Sequence, residues 1–240
     1  MTFSVRLWLM IMILAFTTTI GAGIALAASN SVQPDEQHWS FNGIFGKFDR
    51  QEVQRGLQVY LEVCSSCHGL EYVAYRNLEE IGYDEGQIEA IASQYEVEDG
   101  PNTVGEMFYR PARPSDYFKS PYANDMEAKM MNNGALPPDL SLIYKARPGG
   151  ADYIYSLLTG YEEDSESHET PEGLYYNPYF PGGAVAMPQP LYGDDVEYLD
   201  GTEATIEQEA RDVAVFLTWA AEPSLESRKK LGIKVLLFLA

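Results

Sequence analysis

Two cysteines and a histidine stand together in the chain, in the order Cys64-Ser65-Ser66-Cys67-His68. The spacing Cys-x-x-Cys-His is the one by which a haem is attached covalently through two thioether bonds, with the histidine as a ligand of its iron. On a helical turn, residues three apart lie on one face, so both sulfurs can meet the two vinyl groups on one edge of a porphyrin. The sequence therefore predicts one covalent haem of the c type, with His68 under the iron.

Two other chemistries use closely spaced cysteines, namely a redox-active dithiol and a zinc site. Structural zinc takes four ligands. The chain has no further cysteine, and its only other histidines are His38 and His168. The histidine directly behind the second cysteine favours haem over both alternatives.

The 240 residues include 16 Lys and Arg against 36 Asp and Glu, which gives a formal net charge of −20. Such a chain is unsuited to the phosphates of nucleic acid, and we expect no nucleic-acid partner. The acidic surface either serves solvation alone or offers a docking face to a basic carrier protein. The length allows one domain of about 200 residues with a sizeable core.

Residues 1–28 are predicted to be a signal peptide. They carry Arg6 near the start, then an apolar run from Leu7 to Phe16, and they end in Ala25-Leu26-Ala27-Ala28, which is typical of a cleavage site. The alternative is an uncleaved membrane anchor, because the uncharged run is long enough to span a bilayer. In both cases the domain is exported, in a bacterium to the periplasmic side of the membrane.

Residues 227–240 are predicted to begin a C-terminal membrane anchor. Three basic residues, Arg228 to Lys230, precede the largely apolar run from Leu231 to Ala240. Ten residues are too few to cross the hydrocarbon core of a bilayer, about 30 Å thick, so the predicted transmembrane helix is incomplete in this sequence. The alternative is an amphipathic or core-packed segment.

Four segments are predicted to be helical from their caps and apolar periodicity. Their signals are Asp49 with Glu52, Asp84 with Gln87, the run Asp152 to Thr159 before Gly160, and Thr205 with Gln208. Prolines and glycines interrupt residues 96–150, and no alternating apolar runs support an extensive sheet. We expect a mostly α domain with long ordered loops around one haem.

The second axial ligand decides what the haem can do, since a bound ligand makes an electron carrier and an open position allows ligand binding or peroxidase chemistry. Met187 follows Gly182 and Gly183 and precedes Pro188, in an irregular segment that can approach a flat ring closely. We expect its sulfur to bind the iron, although a buried loop methionine is the alternative. The other candidates are expected to have other roles, namely solvated positions for His38 and His168 and core packing for Met107, Met126, Met130 and Met131.

Taken together, these residues resemble the cytochrome c1 family, the haem-bearing subunits of the quinol:cytochrome c oxidoreductase, or bc1 complex. The resemblance is most specific in Gly134-Ala135-Leu136-Pro137-Pro138-Asp139-Leu140-Ser141 and in Tyr176-Asn177-Pro178-Tyr179-Phe180-Pro181-Gly182. It extends through residues 39–41, 45–49, 75–78, 157–161 and 219–223, and so covers nearly the whole chain after the predicted signal peptide.

The resemblance implies a predominantly α cytochrome c domain over residues 29–226. It implies specific roles for eight residues, which are thioether formation by Cys64 and Cys67, axial ligation by His68 and Met187, haem-pocket contacts by Pro137 and Pro138, and binding of a haem propionate by Arg147 and Tyr153. A guanidinium facing a carboxylate is a sensible pairing for the last of these roles.

The resemblance also implies partners. Electrons would arrive from the Rieske iron–sulfur protein and leave to a soluble or tethered c-type cytochrome. The domain would lie on the periplasmic side of the cell membrane, held by a C-terminal helix beside cytochrome b. The chain would be an electron carrier, and part of an enzyme only as a subunit of the reductase.

Two features depart from the family pattern, namely the incomplete C-terminal anchor and the absence of the extra cysteine pair that some bacterial members carry before the methionine. Two rival functions stay open at this point. One is a haem enzyme or gas sensor in which Met187 is not bound, and the other is a soluble cytochrome that shuttles between complexes.

Overall fold

The computed structural model describes residues 32–163 and 170–240, so the predicted signal peptide and His168 lie outside the described residues. In chain order the helices are α1 (Arg50–Glu62), α2 (Glu85–Ala92), α3 (Asp125–Met131), α4 (Ile143–Ala146), α5 (Ala151–Thr159), α6 (Ile206–Ala221) and α7 (Leu225–Leu239). The strands are β1 (Glu96–Asp99), β2 (Phe108–Pro111), β3 (Tyr175–Tyr176) and β4 (Ala184–Val185). The prediction of a mostly helical domain is confirmed.

The core is organised by α1 and α6, which are distant in sequence and pack against each other, and α5 also packs against α6. Gly56 is the point of closest approach, because a Cβ there would overlap the Asp212 carbonyl and the Phe216 side chain. Most of α6 is buried, including Val213, Ala214 and Leu217 of the predicted apolar face. Because Gly56 has no side chain, α1 and α6 can approach each other closely at this point.

The predicted start of α1 is confirmed in part. Asp49 caps the helix, and its carboxylate accepts hydrogen bonds from the backbone N–H groups of Gln51 and Glu52. The prediction of a full capping box is wrong, because that box needs the Glu52 side chain to accept from the backbone N–H of Asp49. The Glu52 side chain pairs with Arg211 of α6 instead, at 3.1 Å. A long-range ion pair has replaced the local bond, and it joins the two central helices.

The other predicted caps also form. Asp84 and Gln87 make a full capping box at α2, with both hydrogen bonds 2.9 Å long. Thr205 accepts from the backbone N–H of Gln208 at the start of α6, while the Gln208 side chain donates to Asp212 instead of returning to the cap. Local sequence therefore positions the helix starts.

Between α2 and α5 the regular elements are short, as the prolines predict. The antiparallel pairing of β1 with β2 was not predicted by sequence periodicity. The expectation of core packing for four methionines is wrong: Met126, Met130 and Met131 of α3 are 70%, 79% and 70% exposed, and Met107 is 54% exposed. The seven-residue α3 buries only Ala128, so the methionines have no core to enter.

Helix α5 begins one residue before the predicted range and ends at Thr159, with Tyr153, Ile154 and Leu158 buried. Gly160 follows it with φ −100°, so it is not a left-handed cap. A side chain at Gly160 would overlap the ring of Tyr179, which explains the glycine by close packing.

Helix α7 follows α6 after a short break at Pro223, and its last residues are exposed. Within residues 32–163 and 170–240, no helix is both long enough and apolar enough to cross a membrane.

Candidate haem-binding site

Helix α1 runs directly into the Cys-x-x-Cys-His motif. The first cysteine begins a 3₁₀ turn, Cys64–Ser66, in which the Cys64 carbonyl accepts from the backbone N–H groups of Cys67 at 3.1 Å and His68 at 2.9 Å. The buried Tyr60 hydroxyl of α1 donates to the His68 carbonyl at 3.1 Å. Both cysteines are free and partly buried, so the motif presents two thiols from one tight turn.

The orientation of the His68 ring is set by Pro138, whose carbonyl oxygen lies 2.7 Å from Nδ1. A carbonyl only accepts, so Nδ1 carries the hydrogen and Nε2 keeps its lone pair. Among the described residues, Nε2 has no hydrogen-bonding partner. This is the arrangement that a metal-ligating histidine requires, with one nitrogen held by the protein and the other free.

Burial lowers the pKa of His68, and the hydrogen bond to Pro138 and the nearby Asp139 offset this effect only in part. The ring is therefore neutral at neutral pH, which is the form that binds a metal.

Pro138 is itself held in place by hydrogen bonds from its neighbours. The Asp139 carboxylate accepts from the backbone N–H groups of Glu71 at 2.7 Å and Ser141 at 2.9 Å. The Ser141 hydroxyl accepts from the N–H of Tyr72, and the Gly69 carbonyl accepts from the N–H of Leu140. The segment containing Pro137 and Pro138 is thus fastened along the chain that follows His68.

The two thiols lie in different surroundings. Burial, with the Cys67 thiol beside it, raises the pKa of Cys64 to about 12. Cys67 lies within hydrogen-bonding range of the Tyr122 hydroxyl, which in turn accepts from the Asn132 amide at 2.8 Å. The end of α3 is therefore close to the second cysteine.

Arg147 and Tyr153 lie together at the start of α5. The guanidinium is within hydrogen-bonding range of the Tyr153 hydroxyl and also donates to the Ala146 carbonyl at 3.2 Å. Burial raises the pKa of Tyr153, and the neighbouring Arg147 charge opposes the shift. Within the described parts of the chain, Arg147 has no carboxylate within 4 Å, so its charge is available to a ligand.

Met187 is partly buried and packs against the hydrophobic core, three residues after the start of β4. Its carbonyl accepts a 3.0 Å hydrogen bond from the Tyr161 hydroxyl, just beyond α5. Gly182 and Gly183 adopt φ of 86° and 74°, which a side chain would oppose. This turn leads into β4, which pairs with β3 and sets the direction of the chain towards Met187.

The structure brings Cys64, Cys67, His68 and Pro138 into one group, and it brings Arg147 and Tyr153 into another. Among the described residues, Met187 makes no direct hydrogen bond to either group. It is linked indirectly to the second group, because Tyr161 donates to the Met187 carbonyl and interacts electrostatically with Tyr153. His38 is exposed and offers only its backbone carbonyl, which accepts from Arg211.

The donor set fits a haem. The described residues supply two free thiols, a neutral imidazole nitrogen, a thioether and an unpaired guanidinium, which are the groups that vinyls, iron and propionates take. Sequence reasoning missed four residues that position this set, namely Tyr60, Tyr122, Asp139 and Tyr161. Asp139 and Tyr161 had a signal, because they stand in segments 134–141 and 157–161, which carry the family resemblance.

Comparison with known proteins gives a consistent result. The family model described as "Cytochrome C1 family" matches residues 39–240. A cytochrome c1 of Rhodospirillum rubrum is 48% identical, over 92% of this chain and 89% of that protein. The "Cytochrome b-c1 complex catalytic subunit, mitochondrial" of Candida albicans is 46% identical, over 95% of this chain and 79% of that protein. A "Cytochrome b/c1" of Bradyrhizobium diazoefficiens is 50% identical over 90% of this chain, which spans about a third of that longer protein (34%).

Proposed function

The chain belongs to the cytochrome c1 family, and we propose that it is the electron-transfer subunit of a cytochrome b-c1 complex. Cys64 and Cys67 would hold one haem through thioether bonds, and His68 and Met187 would bind its iron. Pro137 and Pro138 would line the haem pocket. Arg147 and Tyr153 would bind a haem propionate.

The orientation of His68 is the observation that supports this proposal most directly. Its Nδ1 is held by the Pro138 carbonyl at 2.7 Å, and its Nε2 has no partner among the described residues. In proteins, a histidine that binds a metal usually has one ring nitrogen held by a protein group and the other free for the metal.

With His68 and Met187 as ligands of its iron, a haem would supply one-electron transfer, and the soft sulfur of Met187 would favour the reduced state. The chain contributes the positioning. Pro138 fixes the imidazole, Tyr161 fixes the backbone of Met187, and the two ligands together leave no position for a substrate. No acid, base or nucleophile of the chain is needed for electron transfer.

We assign the partners from family membership and from charge. Electrons enter from a Rieske iron–sulfur protein and leave to a c-type cytochrome, which is basic where it meets this chain of net charge −20. Cytochrome b is the third partner, and the name of the Bradyrhizobium relative, "Cytochrome b/c1", supports that pairing. Catalysis of quinol oxidation belongs to the assembled complex.

The same assignment places the domain at an energy-transducing membrane. We propose that residues 1–28 direct export and are then removed, which leaves the haem domain of residues 29–226 on the periplasmic side of a bacterial cell membrane. The C-terminal residues 227–240, whose exposed apolar side chains lie on α7, attach it to that membrane.

A Met187→Leu variant tests the proposed ligand set. The haem is expected to remain covalently attached, because both thioethers are intact, while the iron loses its sulfur ligand and the reduction potential falls sharply. The ferric spectrum should lose the methionine–iron charge-transfer band at its red edge, and low concentrations of cyanide should now bind. Met130→Leu is the matched control, since Met130 is 79% exposed.

An unchanged potential and spectrum in Met187→Leu would show that another residue binds the iron. A wild-type protein that already binds cyanide at low concentration would favour the haem enzyme or gas sensor. Copurification of the wild-type chain with cytochrome b and a Rieske protein separates a subunit of the complex from a soluble shuttle.

A further inference from the structure

The loop of residues 41–48, which we call the 41–48 loop, presents two apolar side chains to solvent. Ile44 and Phe45 at its tip are 68% and 75% exposed, whereas Phe41 and Phe48 at its two ends are buried in the core. Backbone hydrogen bonds close the loop on itself, from Gly46 to the Gly43 carbonyl and from Lys47 to the Ser40 carbonyl. The tip is therefore held out by a well-anchored base.

Lys229 ties the 41–48 loop to helix α7. Its ammonium group donates to the carbonyls of Phe41 at 2.5 Å and Gly43 at 2.7 Å. A groove of about 230 Å³ between the loop and the helix is lined by Ile44, Phe45, Lys229, Ile233 and their neighbours. The apolar tip thus lies beside α7, about one turn before the exposed apolar residues from Val235 to Leu239.

The charge of this region is opposite to that of the whole chain. Residues 41–48 and 225–240 together contain five basic residues and one acidic residue, in a protein of net charge −20. Lys47, Lys230 and Lys234 are exposed, and within the ranges that the structure describes none of them has a carboxylate within 4 Å. Lys47 and Lys230 line the same groove as Ile44 and Phe45, so unpaired cations lie beside the exposed apolar side chains.

We propose that the 41–48 loop is a second membrane contact, which inserts Ile44 and Phe45 into the interfacial layer of a bilayer that contains anionic lipid. The inference rests on the proposed attachment through α7, because the loop lies at the level where that helix becomes apolar. Lys47, Lys230 and Lys234 meet lipid phosphates, and their methylene chains extend along the apolar side chains. Two contacts on one surface limit rotation of the domain about the helix.

A protein partner explains these features less well than a lipid surface does. The core of a protein–protein interface is depleted in charged residues, and Lys in particular is under-represented there. An aromatic or aliphatic residue next to unpaired Lys and Arg is typical of segments that lie in the headgroup region of a membrane. Accessibility to dissolved oxygen distinguishes the two kinds of partner, because oxygen enters the lipid around an inserted side chain and is excluded from a packed protein interface.

Site-directed spin labelling of the full-length, haem-loaded chain tests the proposal. Nitroxides are attached in separate variants at Phe45→Cys in the loop, Phe238→Cys in α7 and Val104→Cys, which is an exposed control residue between β1 and β2. Each variant is reconstituted into vesicles with equal amounts of phosphatidylcholine and phosphatidylglycerol. The measurement is the ratio of accessibility to oxygen, which concentrates in lipid, over accessibility to a water-soluble nickel chelate.

The expected result is a ratio several-fold higher at positions 45 and 238 than at position 104. A high ratio at 238 with a water-like ratio at 45 would overturn the proposed loop contact and leave the attachment through α7 intact. Water-like ratios at both positions would overturn both membrane contacts, while an unchanged haem spectrum would leave the electron-carrier function in place. Exclusion of both reagents at position 45 would indicate protein contact and would also overturn the proposal.

The lipid composition tests the role of the cations. In vesicles of phosphatidylcholine alone, and in a variant with Lys47→Gln, Lys230→Gln and Lys234→Gln, the ratio at position 45 should fall towards that at position 104. An equally high ratio under all conditions would contradict the requirement for anionic lipid. All three lysines are exposed, so these changes should leave the fold intact, which circular dichroism checks.

Discussion

Replacing Glu209 by glutamine is expected to flatten the pH dependence of the stability of this domain. Glu209 lies in α6 and is fully buried. Its Oε1 accepts from the backbone N–H groups of Asp195 at 3.0 Å and Val196 at 3.3 Å, in the loop that follows Met187. Its Oε2 has no hydrogen-bonding partner in the described part of the chain.

The surroundings of Glu209 favour its protonated form. Burial, together with the charge of Asp195, raises the pKa of Glu209 to about 7 from its ordinary value of 4.5. The Tyr198 hydroxyl packs nearby and also lacks a partner among the described residues, while the charge of Arg55 is already engaged by Asp212 and Asp200. A proton on Glu209 can be shared with Asp195, whereas a negative charge has no cation to meet it.

The sign of the effect follows from the raised pKa. Between about pH 4.5 and pH 7 the folded protein binds up to one proton more than the unfolded chain, so the free energy of unfolding falls as the pH rises. The slope is at most about 1.4 kcal/mol per pH unit, and the whole loss is no more than about 3.5 kcal/mol. In Glu209→Gln the amide donates to Asp195 at every pH, so this contribution no longer titrates.

Urea unfolding followed by circular dichroism at several values between about pH 5 and pH 8 measures the slope. The matched control is Glu207→Gln, which makes the same substitution at an exposed position on the same helix. The difference in unfolding free energy between wild type and Glu209→Gln should fall steadily with rising pH, while that between wild type and control should stay constant. Two parallel curves for wild type and Glu209→Gln would refute the assignment of a buried proton to this residue.

Three further variants test the packing and the site. Arg55→Ala should cost about 3–5 kcal/mol in urea unfolding, because it leaves the fully buried Asp212 without the guanidinium that binds it at 2.8 Å; a loss below about 1 kcal/mol would contradict a dry ion pair. Gly56→Ala should lower the melting temperature, with a cost of about 1–3 kcal/mol, because the new Cβ overlaps the Asp212 carbonyl; an unchanged melting temperature would show that the helices can separate at little cost. Tyr161→Phe removes the hydrogen bond to the Met187 carbonyl and should cost about 1 kcal/mol while weakening the methionine–iron band in the ferric spectrum; an unaltered band would show that Tyr161 does not position the sulfur.

Much of the local structure was predictable because the signals are local. Asp49, Asp84 and Thr205 cap the helices they were expected to cap, since a cap depends on residues within one turn. The predicted hydrogen bond between the Glu52 side chain and the backbone N–H of Asp49 is wrong, because a residue distant in sequence competes for Glu52. Arg211 is 159 positions away in sequence, and its proximity to Glu52 depends on the packing of α1 against α6.

The methionines show a second limit of sequence reasoning. Met126, Met130 and Met131 have the composition of a core segment and are exposed, because α3 is too short to present more than Ala128 to the domain. Met187 was distinguished from them by its neighbours Gly182, Gly183 and Pro188. Its role as an iron ligand stays a prediction, as do the roles of Arg147 and Tyr153.

The sequence by itself determined the proposed chemistry, because a prediction of thioether attachment and iron ligation needs only residue types at the fixed spacing of Cys64, Cys67 and His68. The tertiary structure decided which nitrogen of His68 is free, because the Pro138 carbonyl reaches it from 70 positions away. It also decided that Glu209 is buried and that Phe45 is exposed beside α7. Burial and orientation are properties of the surroundings that distant segments create, and a local pattern of residue types does not contain them.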